Sequence, residues 1–437
     1  MTFLKFIPPI LSFLLLAAHY SRVSQYWLVS LCLVMPFLLL VRKKWVMRVL
    51  QVLLVLGGYI WIQTIVFLVT IRLGSNRPWI RLVVILGFVA LFTIASAVVF
   101  ETGGIRRRYR EDKSAWLPSL SAFLLTGSLL SFIQLKVSRP MLLMERFWPG
   151  SGWVEVTLLA FYAGWVTEKI LEAGPNKRSK IRSRIWMFFS LVFFSQLVIG
   201  LAGVEKFLMT GKLHLPIPAL IIAGPLYRGE GFFMPILFLI TVLLIGPAWC
   251  SFLCYIGAWD NRLARTKDFP QSLTKRKNVI RILVLFLVVI TALVLRNIGV
   301  AGPIATGLAL IFGIFGVGLM IFMSRKNGVM THCVTYCPIG LAANWLGRLS
   351  PFRIRIKDSC TDCLACRLSC RYDALREEDI KKLRPGLTCT LCGDCIGHCK
   401  ENALQYGFLR LKPHTARFLF YVLIVSFHAV MLGIARI

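Results

Sequence analysis

Hydrophobic stretches of membrane-spanning length alternate with short polar loops along most of the chain. A helix needs about 17–25 apolar residues to cross the hydrocarbon core of a bilayer. Stretches that reach or approach this length lie at residues 3–20, 25–41, 49–71, 79–100, 117–135, 153–168, 186–204, 231–249, 279–296, 303–323 and 416–435. The pattern predicts an all-α polytopic membrane protein with about eleven transmembrane helices, the first of them retained rather than cleaved as a signal peptide.

Basic residues predict how these helices are oriented. The chain has 51 Lys and Arg against 19 Asp and Glu, which gives a net charge of +32. The loops 42–48, 101–116, 169–185 and 250–281 hold 22 of the basic residues, and the five loops between them hold 11. Cytoplasmic loops of membrane proteins collect Lys and Arg, so we expect the N-terminus inside and the C-terminus outside. The charge then reflects topology in the inner (cytoplasmic) membrane, and we expect no nucleic-acid partner.

One long polar stretch, residues 324–415, interrupts the run of spans and falls on the predicted cytoplasmic side. The basic loop at 101–116 is the best boundary within the membrane part. The sequence therefore predicts four parts. They are an N-terminal four-helix membrane module of unknown role (1–115), a membrane core (116–323), a cytoplasmic cysteine-rich domain (324–415) and a C-terminal transmembrane helix (416–437).

Eight of the 13 cysteines form two equal runs in the cytoplasmic stretch. The runs are Cys360-x2-Cys363-x2-Cys366-x3-Cys370 and Cys389-x2-Cys392-x2-Cys395-x3-Cys399. This is the spacing of bacterial two-cluster ferredoxins, in which the fourth cysteine of each run ligates the other cluster. We therefore assign cluster one to Cys360, Cys363, Cys366 and Cys399, and cluster two to Cys389, Cys392, Cys395 and Cys370. The spacing predicts a small α+β bacterial-type 2[4Fe-4S] ferredoxin domain.

Zinc ligation and disulfide bonding account for these runs less well. Zinc sites use pairs of cysteines rather than triplets with a trailing fourth, and disulfides are disfavoured on a cytoplasmic face. The runs do depart from the common ferredoxin pattern at one position, because Arg371 and Lys400 stand where proline usually follows the last cysteine. We expect the positive charge near each sulfur to raise the reduction potentials.

Four further cysteines form two CxxxC pairs that follow predicted spans. The pairs are Cys250-x3-Cys254 and Cys333-x3-Cys337-Pro338. Residues four apart share one face of a helix, so two such faces could present four thiolates together. The set could bind a third cluster, bind a soft metal such as Cu(I) or act as redox thiols, with simple packing as the competing interpretation. Cys32 lies alone in a predicted span, and we assign it no role.

The order of these motifs resembles the membrane polyferredoxin family, whose relatives include NapH-, NosR- and CcoG-like proteins. The resemblance rests on Trp249-Cys250-x3-Cys254, on Cys333-x3-Cys337-Pro338 and on the tandem ferredoxin runs, and it covers residues 117–437. It implies electron transfer between the quinone pool, or another membrane donor, and a redox partner. The implied partners are ferredoxin-like proteins or membrane oxidoreductase subunits. The protein would then be an electron-transfer subunit of an oxidoreductase system.

Three functions are compatible with these cysteine motifs. The first is a redox relay through two [4Fe-4S] clusters, with quinone as a further ligand. The second is a copper reductase or assembly factor of the CcoG type, and the third is a redox sensor. The sequence identifies no acid–base catalytic residue. The 324–415 stretch carries 15 basic and 8 acidic residues. This excess could dock an acidic electron-transfer protein, lie against anionic headgroups of the bilayer or simply reflect the positive charge of cytoplasmic loops.

Overall fold

The computed structural model describes residues 6–41, 44–102, 115–208, 215–274 and 276–434. Within these ranges, eight helical segments are long and apolar enough to cross a membrane. They are Trp45–Gly74, Ile80–Glu101, Trp116–Lys136, Pro175–Leu201, Phe233–Phe252, Lys277–Asn297, Gly302–Asn327 and Pro413–Ile434. The mostly helical architecture and its apolar helices agree with the prediction from the hydrophobic pattern.

The predicted count of eleven spans is not confirmed. Three of the predicted stretches correspond to helices that are too short or too polar. Ile7–Arg22 has 16 residues, and Tyr26–Leu39 is a shorter apolar helix. Gly152–Glu172 has 21 residues but includes three Glu and one Lys, and two of the glutamates, Glu155 and Glu168, lie inside the predicted stretch 153–168. The orientation in the membrane stays a prediction, and most of the basic 101–116 loop lies outside the described residues.

Residues 1–116 form one compact unit. Its helices are Ile7–Arg22, Tyr26–Val34, Lys44–Gly74 and Ile80–Val98, with short 3-10 turns at Met35–Leu40 and Val99–Glu101. A side chain at Gly57 would collide with Leu16, and one at Gly58 with Ile94, so the helices approach closely there. The hydroxyls of Ser12 and Ser96 share a buried hydrogen bond of 3.0 Å. Small residues of this kind are typical of contacts between apolar helices.

Residues 117–437 form the second unit, which holds the other twelve cysteines. Its helices are Trp116–Lys136, which starts at the boundary, Leu143–Phe147, Gly152–Glu172, Pro175–Leu201, Leu220–Arg228, Phe233–Ile245, Trp249–Phe252, Tyr255–Ala264, Lys277–Asn297, Gly302–Leu319, Arg325–Asn327, Pro338–Leu346, Glu377–Lys381 and Pro413–Ile434. Two π-helical turns, Met320–Ser324 and His332–Tyr336, break the regular pattern. Such turns are rare and often lie at functional sites.

Two short strands enclose the cysteine-rich part of this unit. Phe352–Ile356 pairs with Leu404–Phe408 in an antiparallel ribbon. We call residues 352–408 the ferredoxin segment, because all eight cysteines of the two runs lie between these strands. A two-stranded ribbon is marginal by itself, and here the Pro413–Ile434 helix covers it. Tyr406 stacks on Phe420 of that helix with ring centroids 4.6 Å apart, so the ferredoxin segment is fixed to an apolar helix.

Candidate iron–sulfur sites

Four cysteines line one small cavity in the ferredoxin segment. They are the predicted ligands of cluster one, namely Cys360, Cys363, Cys366 and Cys399. The thiols are close enough to influence one another electrostatically. Burial, followed by the negative charges of Cys399, Cys370 and Cys360, raises the pKa of Cys366 to about 11. The fold therefore brings together three cysteines of the first run and the last cysteine of the second run.

The second predicted set also comes together. Burial raises the pKa of Cys395 well above its usual value, and the charges of Cys392, Cys389, Cys370 and Cys366 raise it further. Cys370, which belongs to the first run, borders the same apolar core as Cys389 and Cys392. The last cysteine of each run thus lies beside the first three cysteines of the other run, which is the arrangement expected of a two-cluster ferredoxin.

The backbone of the two runs repeats the same unusual conformation. Positive φ angles occur at equivalent places after the first, second and last cysteine of each run. The pairs are Asp362 and Leu391 (49° and 57°), Leu364 and Gly393 (57° and 77°), and Asp373 and Asn402 (48° and 50°). Alternating right-handed and left-handed residues turn successive N–H groups toward one point, and such nests hold anionic groups including iron–sulfur clusters. The loops are therefore shaped to receive negative charge.

Matching hydrogen bonds reach the last sulfur of each run. The N–H group of Ala374 donates to Cys370 Sγ at 3.3 Å, and that of Ala403 donates to Cys399 Sγ at 3.2 Å. Donors of this kind stabilise thiolate charge and tune the potential of a cluster. An all-cysteine donor set, a shared cavity and converging N–H groups all fit [4Fe-4S] clusters.

Two buried ion pairs attach the ferredoxin segment to apolar helices. Arg182, on the Pro175–Leu201 helix, pairs with Asp394, and Lys277, at the start of the Lys277–Asn297 helix, pairs with Asp373. Burial acts to raise the pKa of Asp394, but Arg182 and Arg265 hold it below its usual value. Both acids lie within a few residues of predicted ligands. Sequence reasoning missed these pairs, although acidic residues inside the cysteine-rich part of a basic segment were an available signal.

The two residues that replace proline have different surroundings. Arg371 is buried, and its guanidinium donates hydrogen bonds to the backbone carbonyls of Ala264, Lys267, Asp268 and Gly328. Lys400 is exposed. Arg371 thus ties the first run to the loop after the Tyr255–Ala264 helix, a structural role that its position next to Cys370 did not reveal.

The CxxxC cysteines also lie in the second unit, near the predicted ligands of cluster two. Cys250 and Cys337 are buried, and Cys254 and Cys333 are partly buried. Burial raises the pKa of Cys333 well above its usual value, and the charges of Asp260 and of the three other CxxxC thiols add to the rise. The four thiols therefore lie near enough to influence one another electrostatically. Among the described residues, no group of three or more His, Cys, Asp or Glu side chains has the geometry to hold a single metal ion.

A cavity of about 200 Å³ opens next to Cys389. Phe352 and Leu391 give it apolar walls, and the basic residues on its lining are Arg348, Arg353 and Arg384. The guanidinium of Arg353 donates to the backbone carbonyls of Gly347 and Ser350, so its position is fixed. The cavity combines apolar surface, positive charge and access to a predicted ligand of cluster two.

Comparison with known proteins gives one match. A family model described as a 4Fe-4S binding domain matches residues 228–267 and 306–357. This supports an iron–sulfur protein. The matched segments contain both CxxxC pairs and end before the first ferredoxin run. They make up less than half of the chain, and no curated protein and no solved structure matches it.

Proposed function

We propose that the protein is a membrane-bound iron–sulfur electron carrier whose ferredoxin segment holds two [4Fe-4S] clusters. The ligands would be Cys360, Cys363, Cys366 and Cys399 for one cluster and Cys370, Cys389, Cys392 and Cys395 for the other. The observation that carries this proposal is the single cavity lined by all four cysteines of the first set. When bound, such clusters supply one-electron transfer without acid–base chemistry.

The attachment to apolar helices supports a role at a membrane surface. Lys277 begins one of the eight apolar segments, Arg182 lies about two turns into another, and both hold acids close to the predicted ligands. The clusters would then lie where those helices leave the bilayer. We place this surface on the cytoplasmic side of the inner membrane, because the basic loops favour that orientation.

We propose the cavity beside Cys389 as the quinone site. An apolar ring can pack against Phe352 and Leu391, and arginine N–H groups can donate to the ring oxygens. The proposal is tested with Arg384→Leu, since Arg384 lines the cavity and is exposed. We expect the KM for a short-chain quinol to rise several-fold while reduction by dithionite is unchanged. Lys382→Leu, which changes an exposed residue two positions earlier, is the control, and equal effects of both variants would refute the site.

The soluble partner would be an acidic electron-transfer protein. The 324–415 stretch has seven more basic than acidic residues, and charge complementarity steers such encounters. The rate of electron transfer to an acidic ferredoxin should fall as ionic strength rises. A rate that is independent of salt would argue instead for a membrane-embedded partner or for lipid contacts of this surface.

The core of the proposal is tested by counting clusters. Protein purified anaerobically should contain iron and acid-labile sulfide, and dithionite should produce EPR signals of interacting [4Fe-4S] clusters. Cys363→Ser and Cys392→Ser should each remove one cluster and leave the other. Cys32→Ser, in the separate N-terminal unit, is the matched control and should remove none. Protein without iron, or iron retained in both variants, would refute the function.

A further inference from the structure

The two CxxxC pairs belong to a repeated structural motif. Each reads Cys-x3-Cys-x-Ile-Gly, at residues 250–257 and 333–340. The second cysteine of each precedes a helix and takes nearly the same backbone angles, φ −75° and ψ 113° at Cys254 and φ −71° and ψ 117° at Cys337. The helices that follow have ten and nine residues. Two separate parts of the chain thus present a thiol at a helix N-terminus in the same way.

The glycine of each motif allows a tight turn over the first cysteine. A Cβ atom at Gly257 would lie 3.1 Å from the carbonyl oxygen of Cys250, and one at Gly340 would lie 2.9 Å from that of Cys333. Both distances are shorter than a carbon–oxygen contact normally allows. The turn brings N–H groups to the second sulfur of each motif. These groups belong to Ile256 and Gly257 for Cys254, and to Ile339 and Gly340 for Cys337.

The four CxxxC thiols are buried or partly buried. Burial raises the pKa of Cys254 to about 12, with the charge of Cys337 adding to the rise and the N–H groups opposing it. Burial also raises the pKa of Cys337, and there the guanidinium of Arg281 opposes the rise along with the N–H groups.

Arg281 points into this site with most of its donors unused. Its side chain is 1% exposed, and only Nη2 has a partner, the Oδ1 atom of Asn344 at 2.8 Å. Nε and Nη1 are buried with no hydrogen-bond partner among the described residues. Nη2 lies 3.2 Å from the position of a Cβ atom on Gly340. A buried cation with unused donors is costly, so the site should contain an anionic group.

The CxxxC site adjoins the predicted ligands of cluster two. Asn344 holds Arg281 through its Oδ1 atom and donates from Nδ2 to the carbonyl of Cys389 at 3.3 Å. Tyr372, two residues after Cys370, donates to the carbonyl of Cys250 at 3.3 Å. One apolar core borders cysteines of both groups. A redox centre in this place would be a near neighbour of cluster two, whereas a zinc ion would be redox-inert.

We propose that the four CxxxC cysteines bind a third iron–sulfur cluster of the [4Fe-4S] type, with Arg281 as the positioning residue that offsets its negative charge. This inference rests on the proposed function, because it extends the same electron route. A cubane takes one iron per cysteine, so its ligands do not have to close round a single ion. The site would connect the membrane core to the clusters of the ferredoxin segment.

The first test is the metal content of the full-length, anaerobically purified protein. Three clusters require about twelve irons per chain, and two require about eight. Cys254→Ser and Cys337→Ser should each lose about four irons while the signals of the two ferredoxin clusters remain. Serine is a favoured residue before a helix, so both variants should keep their helices. Cys32→Ser is the control and should keep all the iron.

The outcomes separate this inference from the proposed function. About eight irons in the wild type, with no loss in either serine variant, would overturn the third cluster and leave the relay intact. Zinc or copper at this site would also overturn it, with copper favouring a metal-handling role. Iron absent altogether would refute the proposed function itself.

Arg281 provides a second test that leaves every cysteine in place. Arg281→Gln should retain the iron but shift the reduction potential of the third cluster to lower values, because a positive charge next to it is lost. Arg281→Lys should restore most of the potential. Arg276→Gln, an exposed neighbour, should shift nothing. If the potentials of the wild type and Arg281→Gln are the same, the assigned role of Arg281 is wrong.

Discussion

The carboxylate of Asp394 accepts two hydrogen bonds from the guanidinium of Arg182, at 2.7 and 3.2 Å. Arg182 is 2% exposed and Asp394 is 6% exposed, so the pair is almost fully removed from water. Asp394 immediately precedes Cys395, and Arg182 also donates to the carbonyl of Ser251 at 3.0 Å. One side chain thus joins an apolar helix, the neighbourhood of the first CxxxC pair and the loop of the second cysteine run.

Breaking this pair should destabilise the attachment of the ferredoxin segment. Arg182→Met leaves Asp394 with only one of its two basic partners, and removal of one member of a buried pair typically costs about 3–5 kcal/mol. We expect a lower unfolding temperature in detergent and faster proteolysis within residues 352–408. Arg184→Met alters an exposed arginine of the same helix and should change neither quantity. Comparable losses in the two variants would contradict this role.

Replacing both members tests whether the pair is needed for stability or for specificity. Arg182→Met combined with Asp394→Leu removes the buried charges together, and such replacements are often neutral or stabilising. Arg265 would still lose its carboxylate partner, but it is partly exposed and can be hydrated. We expect the double variant to be more stable than Arg182→Met alone. A double variant that is less stable would show that Asp394 has a further role at cluster two.

Arg371 and Lys400 occupy equivalent positions and can be compared directly, because each follows the last cysteine of its run. Arg371→Ala would leave four backbone carbonyls without their donor. Two of these hydrogen bonds are buried, and each buried unsatisfied group costs about 1–3 kcal/mol. Lys400→Ala changes an exposed side chain and should cost less than about 0.5 kcal/mol. Thermal unfolding of both variants checks the difference. If the two changes are equal, Arg371 does not hold the run in place.

The same two variants test the expectation that these residues raise the cluster potentials. Both charges lie next to predicted ligands, but solvent screens Lys400 more strongly than the buried Arg371. Redox titration should therefore show a larger fall in potential for Arg371→Ala. Unchanged potentials in both variants would refute the expectation.

Gly393 should be indispensable for cluster two. Its φ angle is 77°, and an added Cβ atom would collide with the hydroxyl of Tyr406. Gly393→Ala should therefore displace the strand or the loop, at a cost on the order of 1–3 kcal/mol. We expect selective loss of the cluster-two EPR signal. Leu364 holds the equivalent place in the first run with a φ of 57°, so Leu364→Gly should keep both signals, and it serves as the control.

The two candidate ligand sets were accessible from the spacing of the cysteines. Ferredoxin ligation depends on local loops, because three thiols within about seven residues can face one centre without help from distant parts of the chain. The positive-φ positions at Leu364 and Leu391 were not predicted. Leucine has no intrinsic preference for the left-handed region, so only the geometry of the folded loop imposes it.

The span count was harder to predict from the same pattern. Apolar length alone does not distinguish the eight candidate spans from a helix such as Gly152–Glu172, which carries charged residues near both of its ends. The sequence could not reveal Arg281 as part of a site either. An arginine near the start of an apolar helix is usually a topology signal, and only its burial against the CxxxC thiols distinguishes it.

The thiols available for chemistry could be predicted from the sequence, which has twelve of them in two spacing classes among apolar stretches of helix length. Which thiols lie close together depends instead on how distant segments pack. Cys370 lies beside the second run, the two CxxxC motifs converge from segments about 80 residues apart, and Arg182 and Lys277 join the helices to the loops. The physical reason is that local spacing fixes short-range ligand geometry, whereas buried charges and close backbone approaches form only when distant segments pack together.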